Sequence, residues 1–211
     1  MATQPSSRGA AFRAGFRQRI EAPVAAIFSK THLTPNMLTL IGFGIAIVGA
    51  YLAATQVWIA AGLVVGFGAA FDLFDGALAR ATGKSSKLGA FMDSVFDRAG
   101  EAVVYIGLVI GFLRLVDSNG AALAAAAMGA AFMVSYTRAK SESLGFSSGT
   151  GIANIGLAPR EVRSVVLVIG LIGAAFDLRI LIGVLALIAI LATVTVIQRI
   201  LFVYNQAKST N

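Results

Sequence analysis

The chain has no cysteine and a single histidine, His32. No disulfide can form, and neither a thiolate nor a multi-histidine metal site can be built. Any metal it binds must therefore take oxygen ligands, which suits hard cations such as Mg²⁺, Mn²⁺ or Ca²⁺. Charge is also scarce. Asp, Glu, Lys and Arg make up 13% of the 211 residues, where a soluble domain carries about 25%. With 57% apolar residues and a mean hydropathy of +0.83, the composition excludes an ordinary soluble fold. The apolar runs show no period-two alternation, which excludes a transmembrane β-barrel. The opening MATQPSSRGAAFRAGFRQRI has no apolar core of the kind a cleaved signal peptide needs.

What is present is a series of apolar segments near the ~20 residues that one helical crossing requires. The expected fold is all-α and polytopic, with six transmembrane helices. They are placed at Met37–Ala54, Val57–Arg80, Leu88–Val116, Ala121–Lys140, Arg160–Phe176 and Leu178–Tyr204. Residues 1–34 precede this domain of residues 35–204, and residues 205–211 read as a polar tail. Phe12, Phe16 and Ile20 lie four apart among basic residues, which predicts an N-terminal amphipathic helix in the headgroup layer. Gly62, Gly66 and Gly68 give span two a small-residue face suited to close helix packing.

The net charge of +7 reads as topology rather than as a nucleic-acid footprint. With the N-terminus inside, all of the 17 Lys and Arg residues except Arg114 and Arg179 fall on the inner side. The positive-inside rule then puts both termini in the cytoplasm, in the cell membrane.

Half of the ten acidic residues, Asp72, Asp75, Asp93, Asp97 and Glu101, crowd into FDLFDGALARATGKSSKLGAFMDSVFDRAGE. An ionisable group inside a span costs about 2.5–3.5 kcal/mol on insertion scales, so such a cluster needs compensation. Asp72 and Asp75 share one face of span two, and Gly89, Asp93 and Asp97 share one face of span three. The loop between them folds the two helices together, opposing two Asp pairs near the cytoplasmic boundary. Four carboxylates without cysteine or histidine suit a pair of divalent ions and phosphoryl transfer. An intramembrane ion-pair network, a cation transporter and an intramembrane prenyltransferase with Asp-rich motifs are the competing readings.

The order of the motif separates these readings. Asp72, Asp75, Gly76, Ala79, Arg80, Gly89, Asp93 and Asp97 match D-x2-D-G-x2-A-R-x8-G-x3-D-x3-D without departure. This closely resembles the signature of the CDP-alcohol phosphotransferase family. The resemblance implies a six-helix membrane homodimer that displaces CMP from a CDP-linked donor with an alcohol. It implies two ions per site, Mg²⁺ or Mn²⁺, held by Asp72, Asp75, Asp93 and Asp97, with Asp97 also the general base. It assigns Gly76, Arg80, Ser86 and the stretch Asn36, Met37, Leu38 and Thr39 to the CDP donor. From the residues alone, Thr34 and Pro35 read as the N-cap and first residue of span one.

For the alcohol, basic residues at the cytoplasmic ends of later spans carry the reading. Arg138, Lys140, Arg160, Arg163 and Arg199 would suit an acceptor with its own phosphate. The segments YTRAKSE and PREVR and the late Arg199 are similar to those of bacterial phosphatidylinositol phosphate synthases. The loop SLGFSSGTGIANIGLA departs from that resemblance by its length. The expected reaction is transfer of a phosphatidyl group from CDP-diacylglycerol to myo-inositol 1-phosphate, with glycerol phosphate as the alternative acceptor.

Overall fold

The computed structural model describes residues 34–81, 86–146 and 155–210, without the side chains of 35, 72–81, 209 and 210. The expected N-terminal amphipathic helix lies outside the described residues. Six α-helices run in order: α1 (Pro35–Ala54), α2 (Trp58–Ala81), α3 (Lys87–Arg114), α4 (Ser118–Ser143), α5 (Arg160–Gly173) and α6 (Leu178–Thr210). Among the described residues there is no strand.

The helix starts follow from local chemistry. Thr34 caps α1, its Oγ1 accepting from Met37 N at 3.3 Å, with Pro35 in the first turn. Asp117 caps α4 by accepting from Gly120 N at 2.9 Å. The principal packing pairs close into a ring: α1 on α2, α2 on α5, α5 on α6, α6 on α4, α4 on α3 and α3 on α1. Tyr105, Leu108, Phe112, Leu171, Leu181, Leu185 and Ile188 fill its interior. Large apolar side chains such as Leu63, Phe67, Val165 and Ile190 stand at least 60% exposed on the outside. That surface belongs against lipid, and the chain is a membrane protein.

Small residues set the helix spacing, as expected where lipid removes most of the hydrophobic drive between helices. A Cβ at Gly107 would sit 2.2 Å from the Ala50 carbonyl oxygen, so α3 meets the backbone of α1. Gly62 and Gly66 face Ile172 and Val168 of α5, whereas Gly68 faces Ile45 of α1. Gly107→Ala must separate α1 and α3, an overpacking cost near the upper end of the usual ~1–3 kcal/mol. Thermal melting of the purified protein in detergent should show a drop of about 6–12 °C.

The expected all-α fold with six helices is present, and among the described residues three helical stretches are long and apolar enough to cross a membrane by themselves: Asn36–Ala54, Ser118–Ser143 and Leu178–Lys208. The apolar run of α2 covers only Trp58–Phe71. The 14 residues of α5 span about 21 Å at 1.5 Å per residue, short of a ~30 Å hydrocarbon core. The first half of α3 carries Lys87, Asp93, Asp97, Arg98 and Glu101. α6 continues through the polar tail to Thr210, and Lys208 Nζ lies 4.7 Å from the centre of the Tyr204 ring. Helix-favouring residues and this i, i+4 cation–π contact carry the helix past the apolar segment.

Candidate active site

α3 is the spine of the site. Its N-cap is Ser86, whose Oγ accepts from Gly89 N at 2.9 Å. A Cβ on Gly89 would lie 3.1 Å from Ser86 Oγ and 3.2 Å from Asn36 Oδ1, so Asn36, Ser86 and Gly89 meet in one place. One and two turns further along, Asp93 and Asp97 project from α3, and Glu101 follows a turn later.

Facing them is the start of α5. Arg160 Nη1 donates to Asp97 Oδ2 at 2.7 Å. Arg163 grips Glu101 with two bonds, Nε to Oε1 at 2.9 Å and Nη2 to Oε2 at 3.0 Å. Its Nη1 donates to the Ala158 carbonyl at 2.8 Å. Arg98 Nη1 donates to Glu101 Oε2 at 3.1 Å and to Ser135 Oγ of α4 at 2.8 Å. The segment before α5 is pinned from α6. Buried Thr195 Oγ1 accepts from Leu157 N at 3.0 Å and Ala158 N at 3.1 Å. Arg199 donates from Nε to the Ile155 carbonyl at 3.0 Å and from Nη1 to the Val134 carbonyl of α4. Gly156 has φ +125°, and a Cβ there would fall 2.1 Å from Thr195 Cγ2, so a side chain is excluded twice over.

These elements enclose a cavity of about 660 Å³, bounded by Asp93, Asp97, Arg98, Arg138, Arg160, Arg163 and Arg199, with Ser94, Ser135, Glu142 and Glu161. Asp93 and Asp97 of α3 line it together with arginines from α4, α5 and α6. A smaller apolar cleft lies on the opposite side of Glu101, between α1, α2, α3 and α5, and Asp97, Arg160 and Arg163 border both spaces. The larger cavity can hold a polyanion at one end and present its neutral part to Asp97.

Sequence similarity agrees with this arrangement. Residues 32–203 match the CDP-alcohol phosphatidyltransferase family. The chain belongs to that family. Its members are transferases of phospholipid synthesis, and the chain is such an enzyme. It is 37% identical over 187 residues to the archaetidylinositol phosphate synthase of Pyrococcus horikoshii, covering 87% of this chain and 92% of the relative. Among solved structures it resembles the phosphatidylinositol phosphate synthase of Mycobacterium tuberculosis with CDP-DAG bound. The TM-score there is 0.78 at 26% identity, covering 88% of this chain and 94% of the other. A second structure of that enzyme, in complex with manganese and citrate, gives a TM-score of 0.75 at 25% identity, with 87% and 88% covered.

Against this family frame, the sequence-predicted residues are distributed as follows. Asp93 and Asp97 line the cavity; Asp72, Asp75, Gly76 and Arg80 lie on α2 with side chains outside the described residues. Among the described residues no cluster of three or more His, Cys, Asp or Glu side chains forms. The oxygen-only donors on α3 fit hard divalent ions. In the predicted donor stretch, Asn36 meets Gly89 and Thr39 borders the smaller cleft. Leu38 is buried in the protein interior and Met37 is exposed. Ser86, read as a ligand contact, also serves as a helix cap.

Of the predicted basic set, Arg138, Arg160, Arg163 and Arg199 reach the larger cavity. Lys140 does not line it; it borders a separate groove with Tyr136, Leu144 and Phe146. Two positions along a helix turn a side chain through about 200°, which separates Lys140 from Arg138. Arg138 is additionally paired with Glu142 at 2.9 Å. Sequence reasoning passed over Ser135 and Thr195 entirely and left Glu101 without a role. The spacing of four between Asp97 and Glu101 was the available signal for Glu101; a threonine inside an apolar helix offered none.

Proposed function

We propose that this enzyme transfers a phosphatidyl group from CDP-diacylglycerol to inositol phosphate, releasing CMP and forming phosphatidylinositol phosphate. The observation that carries this reading is the shared cavity, in which Asp93 and Asp97 stand opposite Arg138, Arg160, Arg163 and Arg199. The family fixes the nucleotide-linked donor; an arginine-lined wall favours an acceptor that brings its own phosphate. Relatives that carry the names phosphatidylinositol and archaetidylinositol phosphate synthase support the same acceptor.

In this reading Asp72, Asp75, Asp93 and Asp97 hold two divalent ions, Mg²⁺ or Mn²⁺. When bound, such ions supply positive charge for the diphosphate and the developing oxygen charge. Asn36, Thr39, Gly76, Arg80 and Ser86 line the path of the CDP moiety. The arginines orient the acceptor phosphate so that its hydroxyl reaches Asp97. A carboxylate oxygen of Asp97 takes that proton while the alcohol oxygen bonds to the β-phosphorus. The bond from that phosphorus to the CMP oxygen breaks, and CMP leaves with the electron pair.

The same reading places both termini and the site on the cytoplasmic side of the cell membrane. All six helices of residues 35–204 are embedded, with α5 and the first half of α3 lining a polar cavity. In this reading the protein works as a homodimer.

A panel of acceptors tests the acceptor. Purified protein, Mg²⁺ and labelled CDP-diacylglycerol should release CMP with inositol phosphate faster than with glycerol phosphate, and at least about tenfold faster than with serine or free inositol, which lack the phosphate, since one well-formed phosphate contact is worth that much. Faster release with glycerol phosphate sinks the inositol assignment. A parallel arm with the CDP-linked archaetidyl lipid reads the donor, and preference for it corrects the diacylglycerol half.

A further inference from the structure

Glu101 is the one carboxylate of the acidic segment that the family signature does not include, yet it is among the most heavily engaged side chains of the site. Its side chain is 9% exposed. It accepts two hydrogen bonds from Arg163 of α5 and one from Arg98 of its own helix. Each of these arginines is fastened a second time from a different element, Arg163 by the Ala158 carbonyl and Arg98 by Ser135 of α4. Glu101 itself stays out of the larger cavity, while both of its arginines line it. A guanidinium has five N–H donors in a rigid fork. The three bonds recorded for Arg163 leave two N–H groups, and their directions follow from the two Glu101 bonds.

We infer that Glu101 is a positioning residue for the acceptor: its carboxylate locks Arg163 and Arg98 so that their remaining N–H edges face the acceptor phosphate. Charge alone argues for the opposite role, because a buried anion behind the arginines lowers the positive potential of the pocket. Geometry decides between the two. A bidentate pair fixes the plane of a guanidinium, and an unanchored arginine must lose rotamer freedom before it can bind. The two roles predict opposite signs when the charge is removed without changing the shape.

This inference rests on the phosphorylated-acceptor reading, so the wild-type enzyme is the internal control; absence of CMP release with inositol phosphate there would condemn that reading and not this one. With wild-type activity present, Glu101→Gln should raise the KM for inositol phosphate by at least about tenfold, the weight of one charge-assisted bond. The KM for CDP-diacylglycerol should stay within about twofold, because both arginines line the larger cavity, on the acceptor side of the proposed site. Glu101→Asp keeps the charge but retracts the carboxylate, and its acceptor KM should remain raised. Ser135→Ala, at a half-buried position, removes the second anchor of Arg98 and should shift the acceptor KM the same way by a smaller factor, even if the Glu101 variants fail to fold. A lower acceptor KM in Glu101→Gln, full recovery in Glu101→Asp, an equal loss in both KM values and kcat, or an unchanged acceptor KM in Ser135→Ala would each overturn the inference.

Discussion

Asp97→Asn is expected to reduce CMP release by about a thousandfold, within the range for loss of a general base, while CDP-diacylglycerol binding stays measurable. The side chain keeps its shape and still lines the cavity beside Arg160. It loses the ability to take the acceptor proton, and it becomes a poorer ligand for a divalent ion. In the proposed reading nucleotide recognition is spread over α1, α2 and the start of α3, so the donor should still bind, with affinity reduced through a weakened metal site. Equilibrium binding of labelled donor, alongside single-turnover CMP release, separates the two effects. Turnover at the wild-type rate would remove Asp97 from the role of base. Loss of both signals together would make it chiefly a metal ligand.

Arg199→Ala should give the second-largest effect, and it should fall on the acceptor. Arg199 is 4% exposed and donates to the carbonyls of Ile155 and Val134, tying α6 to α4 and to the segment before α5. Removing it deletes a cation from the cavity wall and leaves two carbonyls without this donor. Each hydrogen bond to a charged group is worth about 1.5–3 kcal/mol. A rise of about 100-fold in the KM for inositol phosphate is therefore expected, with the donor KM within about threefold. Arg199→Lys should recover little, since a single ammonium cannot reproduce the planar fork that spans two carbonyls. Steady-state kinetics in each substrate measure both. Equal changes in the two KM values would mean that Arg199 supports the whole fold rather than this wall.

Much of this architecture was legible in local sequence. Thr34 and Pro35 announced the start of α1, and the helix bounds lie within a few residues of the apolar runs. The spacing of four between Asp93 and Asp97 marked one face of α3, and both line the cavity. The number of self-sufficient spans was not legible. Hydropathy reports composition along the chain, and α5 is short while α3 is charged where it lines the cavity. The basic residues were gathered by proximity in sequence, which cannot distinguish the face of Arg138 from that of Lys140. Arg199 looked like a cation held for a ligand, and the structure gives it two backbone partners 44 and 65 residues away in sequence. No local pattern encodes those. Nor does one encode the pairing of Glu101 with Arg163, at a separation of 62 residues.

The dependence of residues 155–158 on Thr195 and Arg199 bears on how the enzyme is made. All four aspartates of the motif leave the ribosome long before α6 does. A nascent chain that ends ahead of Thr195 has the nucleotide half in the membrane, but nothing yet fastens the segment that seats Arg163. Insertion of the last helix thus brings in the two side chains that hold the segment ahead of Arg163.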